Sequence, residues 1–464
     1  MKAESTRNRL QISLSKSESE YEPAARASRT RTIAVLVSSA LGFGFTLYVF
    51  YPGIMTFDAL YIYKYALEGR FGDWQSPVMT LIWRLIDPIA PGSGSMLLLN
   101  ITLYWFAFSL IAFAVARRSW FALMLPVLAL SPPAFVILGI IWRDVLFAAV
   151  WLLAAAIVFA AENRSAKSQC WIQAGAIGLL AIGILLRPNA LFAAPILATY
   201  ILWPSHWQLR RAVLIYLPAL VVSYALVPVV YYGMIGAKRE NPLHSIFVFD
   251  LGGITHFAKQ NQFPVTWTPA ETAQLTESCY RPLEWNYYWN IEPCRFVMDR
   301  LEGEKIFGTP LLATAWRQAI INHPIAYLRH RMTYMTTFLA GSNLIMWTFD
   351  LNDPTKTAFA DNPKLMALKA VHDALKPTFL FKQGAWLLLC ATLCVFGYRQ
   401  SDTTAGAFLL CVCGSAVIYV ATFFAVGVAS DFRYSYWAVL AGISGVVVLL
   451  PRLFARWKPA GASC

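Results

Sequence analysis

The stretch Val145-Leu146-Phe147-Ala148-Ala149-Val150-Trp151-Leu152-Leu153-Ala154-Ala155-Ala156-Ile157-Val158-Phe159-Ala160-Ala161 decides how this chain folds. It carries no charge and is near the ~17–25 residues that a helix needs to cross a bilayer. Trp142-Arg143-Asp144 precedes it and Glu162-Asn163-Arg164 follows it. Uncharged apolar stretches recur from Ile33 to Tyr51, Ser119 to Trp142, Cys170 to Leu186, Ala212 to Ala237, Thr403 to Ser430 and Tyr434 to Leu450. Of the 464 residues 58% are hydrophobic and 14% charged, against about 25% charged in a soluble domain. In hydrocarbon a segment must satisfy its own backbone hydrogen bonds, and the period-two alternation of a barrel is absent, so these segments are helices. The expected fold is an all-α polytopic integral membrane protein of about ten transmembrane helices (range ten to twelve) with one large extracytoplasmic loop.

Net charge is +13. The basic residues cluster in alternate short loops, which is the pattern that orients membrane helices. Acidic lipid headgroups, and not nucleic acid, are their expected partner. Residues 1–31 read as a disordered cytoplasmic tail before a signal-anchor helix, with no cleavable signal peptide. With that tail inside, the helices exit and return in turn at Tyr51-Pro52-Gly53, Arg117-Arg118, Trp142-Arg143-Asp144, Asn163-Arg164, Arg187-Pro188-Asn189 and Arg210-Arg211. The seventh leaves near Gly233. Residues 32–234 then form an N-terminal membrane module whose first outer loop, 53–94, holds a short amphipathic piece, Pro77 to Ile86. Residues 235–325 form an extracytoplasmic loop or small domain. Residues 326–376 form an interfacial or re-entrant segment, 377–453 the C-terminal helices, and 454–464 a cytoplasmic tail. If Tyr327 to Phe349 crossed, every later helix would flip and the basic loop at Arg399 would lie outside. Keeping it at the surface gives ten spans with both ends inside.

Cys390, Cys394, Cys411 and Cys413 lie in apolar segments and read as small buried hydrophobes. Cys279 and Cys294 sit in the polar outer loop, where a disulfide forms if that side is oxidising. No zinc or haem spacing is present.

Acids and arginines lodged between apolar segments are expensive and mark function. On the expected outer side four such places stand out: Asp58, Arg143-Asp144, Arg187-Pro188-Asn189 and Asp431-Phe432-Arg433-Tyr434. Two carboxylates can divide the labour between taking a proton and holding a partner. Arginine forks suit an anionic phosphate, and the run Trp285-Asn286-Tyr287-Tyr288-Trp289 could stack on a sugar. Each has a plainer reading. Asp58 could cap a helix after Thr56, Arg143-Asp144 could be a structural ion pair, Arg187 and Arg433 could snorkel, and the aromatic run could be an interfacial belt. Their common face is the stronger signal.

These motifs resemble those of the multi-spanning GT-C glycosyltransferases of bacterial membranes, which include protein mannosyltransferases and aminoarabinose transferases. Asp58 in Tyr51-Pro52-Gly53-Ile54-Met55-Thr56-Phe57-Asp58 matches an acid just after the first helix. Arg143-Asp144 looks like a basic-acidic pair opening the fourth helix, and Arg187-Pro188-Asn189 fits an Arg-x-Asn after the fifth. Arg433-Tyr434 fits a late Arg-Tyr, and His323-Pro324-Ile325-Ala326-Tyr327-Leu328 is similar to a phrase before a surface helix. The chain departs at Asp73-Trp74-Gln75-Ser76-Pro77, where many relatives carry a histidine before the proline, and Asp58 stands as a single acid.

The resemblance implies inverting transfer from a polyprenyl-phosphate sugar to an envelope glycolipid or polysaccharide, on the extracytoplasmic face of a bacterial plasma membrane. Asp58 is then the general base, and Asp144 positions the acceptor or a divalent metal, the one cofactor in view. Arg143, Arg187 and Arg433 share the donor phosphate. Asn189, Tyr434, Asp73 and Lys64 are further substrate-contact candidates. Two other classes compete: a lipid or glycolipid transporter or flippase, and a non-catalytic envelope-assembly protein. A transporter would show charged or broken helices near mid-membrane and an inverted repeat, whereas convergence of Asp58, Asp144 and Arg433 on one outer cavity favours an enzyme and wide separation the binding or structural class.

Overall fold

Many helix starts in this chain are written as a polar residue followed by proline: Ser76-Pro77, Thr268-Pro269, Thr309-Pro310 and Asn362-Pro363. The polar side chain can take a free N–H of the first turn, and proline at the first helical position gives up an N–H that had no partner. The computed structural model describes residues 27–162, 165–344 and 362–455. Among them helices dominate, and the only β pairing is four isolated bridges. The first half holds α1 (Ala27–Phe50), α2 (Phe57–Glu68), α3 (Pro77–Ile86), α4 (Ser93–Ala116), α5 (Trp120–Ala129) and α6 (Pro132–Leu138). There follow α7 (Arg143–Ala160), α8 (Ala166–Leu186), α9 (Ala194–Leu202) and α10 (Leu209–Met234). A loop domain is built from α11 (His244–Ala258), α12 (Pro269–Glu277), α13 (Asn286–Trp289), α14 (Phe296–Gly303), α15 (Pro310–Asn322) and α16 (Pro324–Ala340). The chain ends with α17 (Pro363–Leu375), α18 (Gln383–Tyr398), α19 (Thr404–Val426) and α20 (Tyr436–Ala455).

The protein is an all-helical multi-pass membrane protein. Seven of the described helices are long and apolar enough to cross, and an eighth is added if α5 and α6, bent by 51°, count as one span. The quoted stretch is the heart of the bundle. The apolar window of α7 is 83% buried inside the protein, while that of α10 is 6% buried and faces outward. The expected count of ten therefore divides. The third expected span is broken at Ser131-Pro132-Pro133, because proline removes a backbone donor and clashes with the preceding turn. The sixth shrinks to the nine-residue α9 behind Pro188 and Pro195, and α18 is apolar but only 16 residues long.

The first outer loop is largely helical. Thr56 caps α2 by accepting from the Ala59 N–H, and Gly69, at φ 65°, closes it in the left-handed region that glycine tolerates. Arg84 of α3 donates to the Ala66 carbonyl at 3.0 Å and ties α2 to α3. The polar stretch expected as a loop or small domain folds as α11–α15, and Cys279 and Cys294 are bonded within it. The segment expected at the interface begins with α16, which is not among the helices apolar enough to cross. Its Ala326, His330, Tyr334 and Phe338, four apart, form its buried stripe. Residues 345–361 of that segment lie outside the described residues, as do 1–26 of the N-terminal tail, the loop residues 163–164 and the C-terminal 456–464. Residues 27–31, expected within the tail, belong to α1, where Arg31 Nε donates to the Ala116 carbonyl at 2.6 Å.

Candidate active site

Backbone pairing brings the first candidate to the second. The Ile54 N–H donates to the Gly139 carbonyl (2.9 Å), and the Ile141 N–H donates to the Ile54 carbonyl (3.0 Å). This short parallel bridge sets the start of α2 beside the loop that opens α7. Trp142 Nε1 then donates to Thr56 Oγ1 at 2.9 Å. The third candidate is tied in by Ser76, whose hydroxyl accepts from the Met79 N–H and donates to the Leu185 carbonyl at 2.9 Å. That carbonyl lies two residues before Arg187.

The charged groups converge accordingly. Asp58 Oδ2 pairs with Arg433 Nη1 at 2.7 Å, and its Oδ1 accepts from Gln75 Nε2 at 3.0 Å. Arg187 Nη2 is ion-paired with Asp144 Oδ1. The guanidiniums of Arg187 and Arg433 each sit 5.1 Å from the Tyr434 ring, and Arg433 lies 4.5 Å over Trp142. Asp431 accepts from the Arg433 N–H at 3.0 Å, with a carboxylate oxygen 3.7 Å from Arg433 Nε. Asn189 Nδ2 reaches Thr422 Oγ1 of α19 at 3.4 Å. Four segments, spread along the chain from Asp58 to Tyr434, thus meet at one end of the bundle.

Several plainer readings are corrected by this geometry. Thr56, not Asp58, caps α2; the Asp58 carboxylate turns to Gln75 and Arg433 instead. Asp144 pairs with Arg187 across helices, not with its neighbour Arg143. Half-buried Arg143 makes no hydrogen bond or ion pair among the described residues, although Arg187, Asp144 and Asp58 lie within its electrostatic reach. Two candidates fall elsewhere. Asp73 accepts from Tyr232 OH (2.7 Å) and the Glu240 N–H (2.6 Å), in a polar junction where Glu240 also accepts from Tyr61, Tyr65 and the Trp74 N–H. Lys64 is exposed, with no bond to the cluster among the described residues. Both stand on the same loop as Asp58, but α2 and the turn after it carry them away from the arginines.

The cluster is not electrostatically saturated. Asp144 Oδ2, Arg187 Nε, Arg433 Nε, Gln75 Oε1 and Tyr419 OH are buried without a hydrogen-bond partner among the described residues. Buried polar groups are almost always satisfied, so such atoms call for water or a ligand. The Asp58 side chain is 37% exposed although protein surrounds it. Burial lifts its carboxyl, but Arg433, with Arg143 and Arg187 behind it, outweighs burial and holds it below the ordinary carboxylate range. Asp431 goes the other way. Burial, with Asp144 and Asp58 nearby, overrides Arg433 and lifts it to about 6. Three guanidiniums face two carboxylates while Asp431 is protonated, leaving one surplus positive charge for an anion.

A divalent cation fits these residues poorly. Both carboxylates are already held by guanidiniums, and no group of three or more His, Cys, Asp or Glu among the described residues could hold a metal. Asp431, singled out in the sequence with Arg433, joins the cluster, and Gln75, Trp142 and Tyr419 complete it beyond the sequence candidates. Gln75 had a faint signal, since it lies in the stretch Asp73–Pro77 where this chain departs from the pattern it otherwise resembles. Tyr419 had none, being one aromatic in a long apolar helix. No family model, curated protein or solved structure matches the chain.

Proposed function

We propose that the chain is a membrane glycosyltransferase of the GT-C kind, moving a sugar from a polyprenyl-phosphate donor to a hydroxyl of an envelope glycolipid or polysaccharide. The reading places the cluster at the extracytoplasmic face of a bacterial plasma membrane. In it the bent α5–α6 pair, α9 and α18 also traverse, giving ten spans. The observation that carries it is the meeting of Asp58 and Asp144 with Arg143, Arg187 and Arg433, one of these arginines unpaired. A lone cation beside shared ones suits a phosphodiester, which each guanidinium can grip with paired donors.

The chemistry follows from those positions. The acceptor oxygen attacks the anomeric carbon from the face opposite the phosphate and gives its proton to Asp58. The bond from that carbon to the phosphate oxygen breaks, and its electron pair leaves on the polyprenyl phosphate. Arg143, Arg187 and Arg433 hold the charge that develops there, where preorganised donors act most strongly. Arg433 is shared. As it turns to the phosphate it loosens its hold on Asp58, whose basicity rises as the acceptor arrives. Asp144 acts through Arg187, fixing its fork.

The test is mass spectrometry of envelope glycolipids and polysaccharides from cells with and without the gene, with Asp58→Asn as the third strain. The expected result is a missing sugar in both the deletion and the variant. An unchanged envelope in the deletion overturns the reading, and full transfer by Asp58→Asn overturns the assigned base.

A further inference from the structure

Asp250, His330 and Arg331 have no exposed surface, yet all three lie in the loop domain, outside the cluster. Buried charges are costly unless paired and hydrogen-bonded. Here they are. Asp250 Oδ1 meets Arg331 Nη2 at 2.6 Å and His330 Nε2 at 3.0 Å, and its Oδ2 accepts from Trp316 Nε1 at 2.7 Å. His330 Nδ1 reaches Tyr280 OH at 3.0 Å. Gly253 of α11 allows the close approach, since a Cβ there would collide with the His330 ring. Arg331 has a second hand free, and Nη1 donates to the Gly427 carbonyl at 2.7 Å.

Gly427 opens the extended strap between α19 and Arg433, and the strap is gripped along its length. Trp285 N–H donates to the Val428 carbonyl (2.8 Å) and Tyr334 OH to the Ala429 carbonyl (2.8 Å). The Ser430 N–H donates to the Leu283 carbonyl (2.8 Å), the Phe432 N–H to the Asn343 carbonyl (2.7 Å), and Gln383 Nε2 to the Asp431 carbonyl (2.7 Å). Five of these six contacts come from the loop domain or from α16 and the residues just after it. The strap leads through Asp431 to Arg433, the residue that meets Asp58.

We infer that Arg331, neutralised by Asp250, is a positioning residue: it fixes the strap Gly427–Phe432 and so aims Arg433 at Asp58. The loop domain is then a clamp on the cluster. The inference draws on the transferase reading only for its kinetic arm.

The test is hydrogen exchange of the full chain in lipid nanodiscs, comparing wild type with Arg331→Met, Arg331→Lys and Tyr334→Phe. Exchange at Ser430, Phe432 and Arg433 should rise about ten-fold in Arg331→Met, less in Arg331→Lys, and about two-fold in Tyr334→Phe, as a local opening does. Amides of α7 and of α11 should keep their protection. Unchanged strap exchange, or a rise spread equally over α11 and α16, overturns the inference. Should Arg331→Met fail to fold, the smaller local rise in Tyr334→Phe decides, and its absence counts against the inference. In the kinetic arm, Arg331→Lys should raise KM for the lipid-phosphate donor while leaving KM for the acceptor unchanged. A chain that transfers no sugar sinks the transferase reading and leaves the exchange result to judge the clamp.

Discussion

Two aspartate–arginine pairs of nearly equal length stand at opposite ends of the strap's influence. Asp250 and Arg331 are 2.6 Å apart, and Asp58 and Arg433 are 2.7 Å apart. The first pair has no exposed surface, and both carboxylate oxygens of Asp250 are taken by His330, Arg331 and Trp316. The second is open, with the Asp58 side chain 37% exposed and Arg433 Nε without a hydrogen-bond partner. Beside it stands the unpaired Arg143. Distance alone does not tell a structural pair from a working one, and neither does one unused donor, since Arg331 Nε also lacks a hydrogen-bond partner among the described residues; what tells them apart is whether a ligand can reach them. A pair sealed in the interior can only hold, whereas one that reaches the surface can meet a ligand.

The largest expected effects split along this line. Asp58→Asn should lower sugar transfer by about 10²–10⁴-fold, the usual worth of a positioned general base, with little change in thermal unfolding. Asp250→Ala should do the reverse first. It leaves Arg331 and His330 buried without their counter-ion, which costs about 3–5 kcal/mol, so the unfolding midpoint in detergent should fall sharply. The contrast fails if Asp58→Asn unfolds as readily as Asp250→Ala, because both pairs would then be structural.

Arginine 143 sharpens the comparison at the next level. Arg143→Gln removes a cation that is ion-paired to no carboxylate among the described residues, so stability should hold. Affinity for a dialkyl phosphate probe, measured by calorimetry, should weaken about ten-fold or more, since a hydrogen bond to a charged group is worth about 1.5–3 kcal/mol. Arg187→Gln, by comparison, strands Asp144 and should lower stability and affinity together. Equal affinity in Arg143→Gln and wild type would remove the anion from the site.

The membrane helices were legible because composition and length suffice to identify them, and α7 needed nothing more than its lack of charge. The span count was less so. Ser131-Pro132-Pro133 interrupts an apolar run that hydropathy reads as continuous, the sixth expected span keeps only the nine residues of α9, and whether a broken or short helix still crosses depends on its neighbours. In the site, Asp58, Asp144, Arg187 and Arg433 could be found as charges out of place, because their cost is visible in a single segment. Their pairing could not. That Asp144 takes Arg187 and leaves Arg143 free depends on how α7 and α8 pack, and sequence adjacency suggested the opposite partner. The clamp was hidden for the same reason: Arg331 sits in the segment that reads as interfacial or re-entrant, and only the fold supplies Asp250, 81 positions earlier, to neutralise it.

The smallest expected effect concerns Asp431, which Asp144, Asp58 and Arg433 all face. Burial lifts its carboxyl to about 6, above the ordinary value near 3.9. Below about pH 6 it is neutral and the cluster keeps its surplus positive charge; above, it ionises and the surplus is gone. Affinity for a phosphodiester should therefore fall as pH rises through 6. A dialkyl phosphate is the right probe because its charge is constant over this range, whereas a phosphate monoester ionises there too, with a second pKa near ~6. The fall should be modest, about three- to five-fold, because a charge a few ångströms away in a partly solvated cluster is worth about 1 kcal/mol. Asp431→Asn keeps an oxygen for the Arg433 N–H but cannot ionise, so its affinity should stay at the acid-side value across the range. A wild-type profile that is flat from pH 5 to 7.5 would mean that Asp431 belongs with Asp250 among the sealed groups and not with Asp58.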